Sequence, residues 1–400
     1  ENGTGRKSGR SRRQKMSYYE GLSFFTCLIV VLLIAMVIGI LEKPLKWYSL
    51  LVSLLFVAFV FAGNPSGILY LLLFYGWSCL LILGYFRIRT KNGRKAGIYH
   101  AAVLLSLVPL VLCKVTPLFH LSIFGFVGIS YLTFRVVQMI IEIYDGVIKE
   151  VSLVEITAFL AFFPSFSSGP IDRSRRFLAD WNRVLPRADY MELCGKGIWK
   201  LLLGAVYKMV IAAGAYKVMG YLETGTAWYH WIGYAYAYGI YLFFDFAGYS
   251  LMAVGSSYVL GIETPDNFNM PFISRDIREF WDRWHITLSH WFRDFIFTRF
   301  VMYSSKKKWF SSRLQRACAG FFVDMGIMGL WHGITPSYIL YGLYHGALLA
   351  ATETYQKKSS FYKKNKNKTW YQILSWAITM QLVMFGFFLF SGKLMAVLGW

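Results

Sequence analysis

The chain has 400 residues, of which 56% are hydrophobic and 19% aromatic, while only 16% are charged; soluble domains carry about 25% charged residues. Its net charge of +21 would suit nucleic acid, but the basic residues sit in short loops between apolar blocks and no basic–aromatic binding module is present, which argues against that partner. Apolar blocks able to cross a bilayer, about 17–25 residues each, recur too often for a secreted protein with one signal peptide.

Residues 1–16 form a Gly/Ser/Arg-rich tail (Arg6, Lys7, Arg10, Arg12, Arg13, Lys15) that reads as disordered, followed by a single polytopic domain over 17–400. About eleven spans are expected, near 22–41, 47–62, 67–86, 98–115, 121–143, 154–168, 198–220, 228–253, 316–331, 336–352 and 373–391. The first of them, LSFFTCLIVVLLIAMVIGIL, has no charge. The 154–168 block is short and holds Pro164, so a re-entrant or broken helix is expected there, tolerated only under a cover of protein or water. The fold class is therefore an all-α, multi-pass integral membrane protein with additional re-entrant or interfacial helices.

Three basic runs mark loops: Arg87, Arg89, Lys91, Arg94 and Lys95; then Lys306, Lys307, Lys308, Arg313 and Arg316; then Lys357, Lys358, Lys363, Lys364, Lys366 and Lys368. The excess of Lys and Arg in cytoplasmic loops makes each a candidate for the cytoplasmic side, where they would also attract anionic lipid headgroups. The tail conflicts with this rule, because three spans separate it from the 87–95 loop.

Residues 254–315 are mixed in polarity. From Arg278 the sequence runs REFWDRWHITLSHWFRDF, placing Phe280, Trp284, Leu288, Trp291 and Phe295 on one face of a helix. Glu279 precedes Arg283 by four residues, the favoured order for an ion pair. An amphipathic helix at the interface, or under protein cover, is expected.

Charges within spans cost about 2.5–3.5 kcal/mol at the bilayer centre and need a reason. Arg135 and Gln138 interrupt GISYLTFRVVQMII, Asp245 interrupts IYLFFDFAGYS, and Asp324 interrupts AGFFVDMGIMGL. Buried pairs that orient helices explain them, with Arg135 and Asp245 as one candidate pair. The cysteines (Cys27, Cys79, Cys113, Cys194, Cys318) read as small apolar residues, with no CxxC spacing, disulfide framework or metal site.

Among the histidines, His100, His120 and His230 lie near span ends, and His345 suits a core position. His332 is different: in MGLWHGITPS it lies between two apolar blocks, flanked by Gly329 and Gly333 and followed by Pro336. An imidazole at a helix break can meet water or substrate, and its neutral form accepts a proton at physiological pH. From these residues alone, a structural and a catalytic role weigh equally. No nucleophile elbow, phosphate loop or zinc motif is present.

Four stretches carry a family resemblance. FFPSFSSGPIDRSRRF (162–177), YLFFDFAGYSLMAVGSSYVLGIETPDNFNMPF (241–272), REFWDRWHITLSHWFRDF (278–295) and MGLWHG (328–333) occur in the order found in membrane-bound O-acyltransferases, across a motif core of 162–346. The chain resembles the D-alanyl transfer branch of that family in Gram-positive bacteria, through GISYLTFRVVQMIIEIYDG (128–146) and SGPIDRSRRF; polysaccharide O-acetylases are its near relatives.

The resemblance implies a ring of membrane helices thinned around a central tunnel. It implies His332 as the catalytic residue and His285 as a second important position. It also implies a carrier protein (DltC) bringing D-alanine as a phosphopantetheine thioester, an extracellular-facing partner (DltD) and a teichoic acid acceptor. The phosphopantetheine belongs to the carrier, and no cofactor of the chain's own is expected. His332 would act either as general base or by orienting a hydroxyl or the thioester carbonyl. Val301 and Met302, beside Lys306, Lys307, Lys308 and Arg313, offer an apolar patch next to positive charge for an acidic carrier, or an ordinary cytoplasmic loop. The alternatives are O-acetyl transfer to a cell-surface polysaccharide and non-catalytic acyl transport, for which Arg135, Asp245 and His332 would line a path.

Overall fold

The computed structural model describes residues 18–121 and 124–399, which leaves the basic tail outside the described residues. These residues form helices and connecting turns, with no strand among them. The helices are α1 (Leu22–Ile40), α2 (Lys46–Phe61), α3 (Pro65–Asn92), α4 (Ala96–Val115), α5 (Ile129–Asp145), α6 (Leu153–Ala161) and α7 (Ser174–Asn182). After α8 (Arg187–Glu223) and α9 (Trp228–Val259) come the short α10 (Ile277–Arg283), α11 (Ile286–Phe292) and α12 (Thr298–Lys306). The chain closes with α13 (Arg313–His332), α14 (Pro336–Lys358), α15 (Ser360–Asn365), α16 (Thr369–Phe390) and α17 (Lys393–Val397).

Among the described residues, six helices are long and apolar enough to cross a membrane: α1, α3, α4 with the turn that follows it, α8, α9 and α16. The expected eleven blocks are all at least partly helical, but the rest fall short for separate reasons. Helix α2 has 16 residues and α5 has 17. The 121–143 block loses its first part, because helix begins only after Gly128, whose φ is 95°. Helices α13 and α14 are long but carry polar and charged residues toward the interior.

Helix α5 is buried over almost its whole length, from Leu132 to Ile143. Its apolar residues face two packed cores at once, Val136 and Ile140 toward one and Phe134 and Val137 toward the other. A helix buried on all sides, its polar Arg135, Gln138 and Glu142 included, belongs in the centre of a bundle.

Arg135 sits in this central helix and is 1% exposed. The expected pairing with Asp245 does not occur. Arg135 Nη1 donates to the carbonyls of Phe159 at 2.6 Å and Leu160 at 3.2 Å. Its Nη2 donates to the Ser165 carbonyl at 2.5 Å and to Ser165 Oγ at 2.6 Å. The reason lies in the broken helix of 154–168: α6 stops at Ala161, and Phe163–Ser165 with Pro164 forms a tight 3₁₀ turn. The last carbonyls of a helix have no intrahelical donor, and at membrane depth water cannot serve them. The planar guanidinium supplies that donor set. Asp245 instead accepts from Lys208 at 2.6 Å, on the π-helical stretch Tyr207–Ala212 of α8.

The three basic runs lie on one face. Asp145, ending α5, pairs with Arg94 between α3 and α4 at 3.3 Å and also with Arg299 of α12. Arg316 at the start of α13 donates to Ser305 on α12 at 2.8 Å. Helix α14 returns antiparallel to α13, bringing Thr354 beside Cys318 and its lysine-rich end back to the same side. This arrangement is the one that cytoplasmic placement of all three runs requires.

Helices α13 and α14 approach closely at Gly329 and Gly342. A β-carbon on Gly329 would stand 2.5 Å from the Tyr338 carbonyl, and one on Gly342 would collide with the Met325 carbonyl. Gly342→Leu is expected to destabilise the protein by about 1–3 kcal/mol through overpacking, read as a lower melting temperature in detergent; an unchanged melting temperature would show that the helices separate freely here.

Candidate active site

The stretch 278–295 is not one helix. It breaks at Trp284 and His285, leaving α10 and α11 on either side. The periodicity held for burial, since Phe280, Trp284, Leu288 and Trp291 are all buried, but not for continuity. The cause is the segment around Asn267 and Asn269. The Asn269 amide donates to the Arg283 carbonyl at 3.0 Å, and the Ile286 amide donates to the Asn267 carbonyl at 2.8 Å. The Asn267 Oδ1 also accepts from Thr287 Oγ1 at 2.5 Å. Thr287 Oγ1 in turn accepts from the Ile171 amide at 2.9 Å, tying in the 168–173 stretch.

These bonds hold His285 at φ 43° and ψ 51°, a left-handed conformation that costs a non-glycine residue about 1–3 kcal/mol. The result is a histidine turned out of the helical register.

Helix α13 ends at His332, where Gly333 adopts an extended conformation and Pro336 starts α14. The His332 ring packs against Trp331 at 4.6 Å, Phe390 at 4.9 Å and Tyr338 at 5.9 Å between centroids. The two histidines, 47 positions apart in the chain, face one cavity of about 180 Å³. Tyr131, Leu242, Phe246, Trp281, Trp284, Leu288, Trp331, Tyr341, Phe387 and Phe390 complete its lining.

The chamber is apolar in area but not in hydrogen-bonding demand. His285 Nε2, Trp281 Nε1 and Trp331 Nε1 are buried and have no hydrogen-bond partner among the described residues. Each such group costs about 1–3 kcal/mol if left unmade. A guest with a carbonyl or hydroxyl oxygen would satisfy them. No cysteine or serine lines the chamber, and among the described residues no group of three His, Cys, Asp or Glu side chains is placed to hold a metal ion.

Trp281 also borders a second cavity of about 430 Å³, toward the basic face. Its walls include Arg278, Arg293, Val301, Asp324, Met325 and Met328. Asp324, Met325 and Met328 lie on α13 before His332, so the two cavities follow one helix in sequence. Asp324 Oδ1 is buried without a hydrogen-bond partner among the described residues. Val301 thus lines the outer cavity while Met302, 66% exposed, faces outward beside Tyr303 and Trp309. Lys306, Lys307, Lys308 and Arg313 are exposed around them.

The structure thus brings His332, His285 and, one cavity away, Asp324 and Val301 into one line. Arg135 and Asp245 stand outside that line, occupied by the Phe159–Ser165 turn and by Lys208. His345 is 1% exposed beside Trp281 and Tyr341, with Nδ1 unpartnered among the described residues. Sequence reasoning missed Tyr131, Trp331 and Tyr341. Tyr131 lies one helical turn before Arg135, and Tyr341 one turn before His345, so their spacing from polar residues was the available signal.

The family model for MBOAT, the membrane-bound O-acyltransferase family, matches residues 130–397. A teichoic acid D-alanyltransferase of Bacillus subtilis (strain 168) is 41% identical over 391 residues, covering 94% of this chain and 98% of that protein. The teichoic acid D-alanyltransferase of Lacticaseibacillus rhamnosus is 41% identical over 399 residues, covering 94% and 97%. More distant is the "Probable alginate O-acetylase AlgI" of Pseudomonas syringae pv. tomato, 32% identical over 325 residues, covering 80% of this chain and 57% of that protein. The matched region takes in the central helix α5, both helix breaks and the whole chamber between them. With its membrane-spanning helices, the chain belongs to the membrane-bound O-acyltransferase family and is a multi-pass membrane enzyme that transfers acyl groups.

Proposed function

We propose that this enzyme moves D-alanine from a phosphopantetheine thioester, presented by a carrier protein at the basic face, to hydroxyls of teichoic acid. The observation that carries the reading is the line from the Val301 cavity, past Trp281, to the chamber shared by His285 and His332. The names of the relatives that cover nearly the whole chain support D-alanine and teichoic acid as donor and acceptor.

In this reading the carrier docks on Met302, Tyr303 and the Lys306–Lys308 run. Its phosphopantetheine arm occupies the outer cavity, which Arg278 and Arg293 line together with apolar side chains. The acceptor hydroxyl attacks the thioester carbonyl carbon, the carbon–sulfur bond breaks, and an ester and a free thiol result. His332 takes the hydroxyl proton and returns it to the departing sulfur, a step that typically contributes about 10²–10⁴-fold. His285 Nε2 and the indole N–H groups hold the acyl carbonyl. No cysteine or serine lines the chamber among the described residues, and in this reading transfer is direct. An extracellular-facing partner would act at the opposite end, where α13 stops.

The test is single-turnover ester formation by the purified protein in nanodiscs with D-alanyl carrier and teichoic acid. Ester formation supports the reading. A requirement for an acetyl donor would replace it with polysaccharide O-acetylation, and passage of acyl groups with no ester would replace it with transport.

Reversing Lys306, Lys307 and Lys308 to glutamate is expected to weaken carrier binding by about tenfold at low ionic strength, with the difference shrinking as salt screens the charges. Affinity equal to that of the unaltered protein at low and high salt would remove this face as the docking site.

A further inference from the structure

A half-buried lysine stands beside His332 at the end of the molecule away from the basic runs. Lys114 lies in the last turn of α4, and its Nζ donates to the His332 carbonyl at 3.4 Å. Helix α4 begins beside Lys95 on the basic face and has 20 residues, a rise of about 30 Å, so Lys114 is at the far end. That end is where an acceptor outside the cell would arrive, whereas the carrier arrives at the other.

Lys114 differs from Lys208 in the middle of α8. Lys208 is neutralised by Asp245 at 2.6 Å, while Lys114 has no carboxylate partner among the described residues. Its neighbour is the C-terminus of α13, whose dipole offers roughly half a negative charge. The remaining positive charge has no carboxylate counter-ion among the described residues. An ammonium held partly out of water, unneutralised and next to the proposed base, is suited to an anion that comes with the substrate.

We propose that Lys114 binds a phosphate of the acceptor polymer and thereby sets the adjacent acceptor hydroxyl against His332. The proposal rests on the reading above that the acceptor is teichoic acid, a phosphodiester polymer. Lys114 then contributes to acceptor selection: a neutral alcohol reaches the chamber without using this contact, and a polyanion is held by it. The ammonium is the point charge that can follow a flexible phosphate, and the Lys114–His332 hydrogen bond keeps it at the chamber's far end.

The test compares Lys114→Met and Lys114→Arg in nanodiscs, with D-alanyl carrier as donor and either poly(glycerol phosphate) or glycerol as acceptor. Lys114→Met is expected to raise KM for poly(glycerol phosphate) by about tenfold with little change in kcat, and to leave glycerol acylation unchanged. Lys114→Arg is expected to keep most of the wild-type KM. An equal loss with both acceptors, or a lower melting temperature with unchanged KM, assigns Lys114 to closing the end of α13 and overturns the proposal. No ester from the wild-type protein with either acceptor would sink the acceptor reading itself and this proposal with it, so the two failures are told apart by the wild-type control.

Discussion

Replacing His332 by alanine is expected to lower ester formation by about 10²–10⁴-fold or more while the protein stays folded. The imidazole packs between Trp331, Phe390 and Tyr338 at the end of α13, and only partly out of solvent. Its side chain makes no hydrogen bond to another element among the described residues, and the Lys114 contact is to the backbone carbonyl and survives the substitution. Melting temperature and carrier affinity should therefore remain near wild type. His332→Gln separates the two chemical roles, because an amide donates and accepts hydrogen bonds but takes no proton. If glutamine restores most of the rate, His332 orients the hydroxyl or the carbonyl; if it behaves like alanine, His332 is the base. Normal ester formation by the alanine variant would end the assignment. His285→Ala is expected to act differently, weakening use of the acyl carbonyl while leaving the left-handed backbone strain at that position in place, since only glycine would relieve it.

The second large effect is structural. Arg135→Met is expected to cost about 3–5 kcal/mol, at about 1–3 kcal/mol per unsatisfied group with partial relaxation, because it strips donors from the carbonyls of Phe159, Leu160 and Ser165 and from Ser165 Oγ in one step. Those oxygens lie where no water replaces the lost bonds. Methionine fills much of the volume, so the loss is one of hydrogen bonding and not of packing. Arg135→Lys should recover little, since a single ammonium cannot reach both ends of the Phe159–Ser165 turn as the guanidinium fork does. The expected readout is a strongly lowered melting temperature and reduced yield of folded protein in detergent, for Met and Lys alike. A lysine variant as stable as wild type would show that charge at this position matters and geometry does not.

Much of this architecture is legible in the chain. Uncharged blocks such as 22–40 can only be spans, and the short Pro164 block could be read as a broken helix before its partner was known. The glycines around His332 and Pro336 marked the end of α13 correctly. What periodicity could not supply was the break at His285. The apolar repeat Phe280, Trp284, Leu288 and Trp291 is satisfied equally by one helix or by two short ones. The choice is made by the Asn267 and Asn269 segment, about 15 residues upstream, pairing with the backbone across the break. Local pattern cannot report a contact that is decided by tertiary hydrogen bonds. The same limit misplaced the Arg135–Asp245 pair. Both charges needed partners, but the partners were backbone carbonyls in one case and Lys208 in the other. The chamber's tyrosines and tryptophans were hidden by their abundance in a chain that is 19% aromatic.

The indole of Trp281, standing between the two cavities, has a consequence for the living membrane. A bilayer maintains a voltage, and each elementary charge crossing it releases about 2.3 kcal/mol per 100 mV. On the proposed reading, donor and acceptor come from opposite sides, and the enzyme must connect them without becoming a leak for protons or ions. A chamber of about 180 Å³ has room for several waters, and a bound acyl group would displace most of them. Trp281 borders both cavities and stands between them, and on the proposed reading the substrate itself would serve as the stopper during turnover. Substituting Trp281 by a small side chain would thus endanger the energised membrane as well as the reaction.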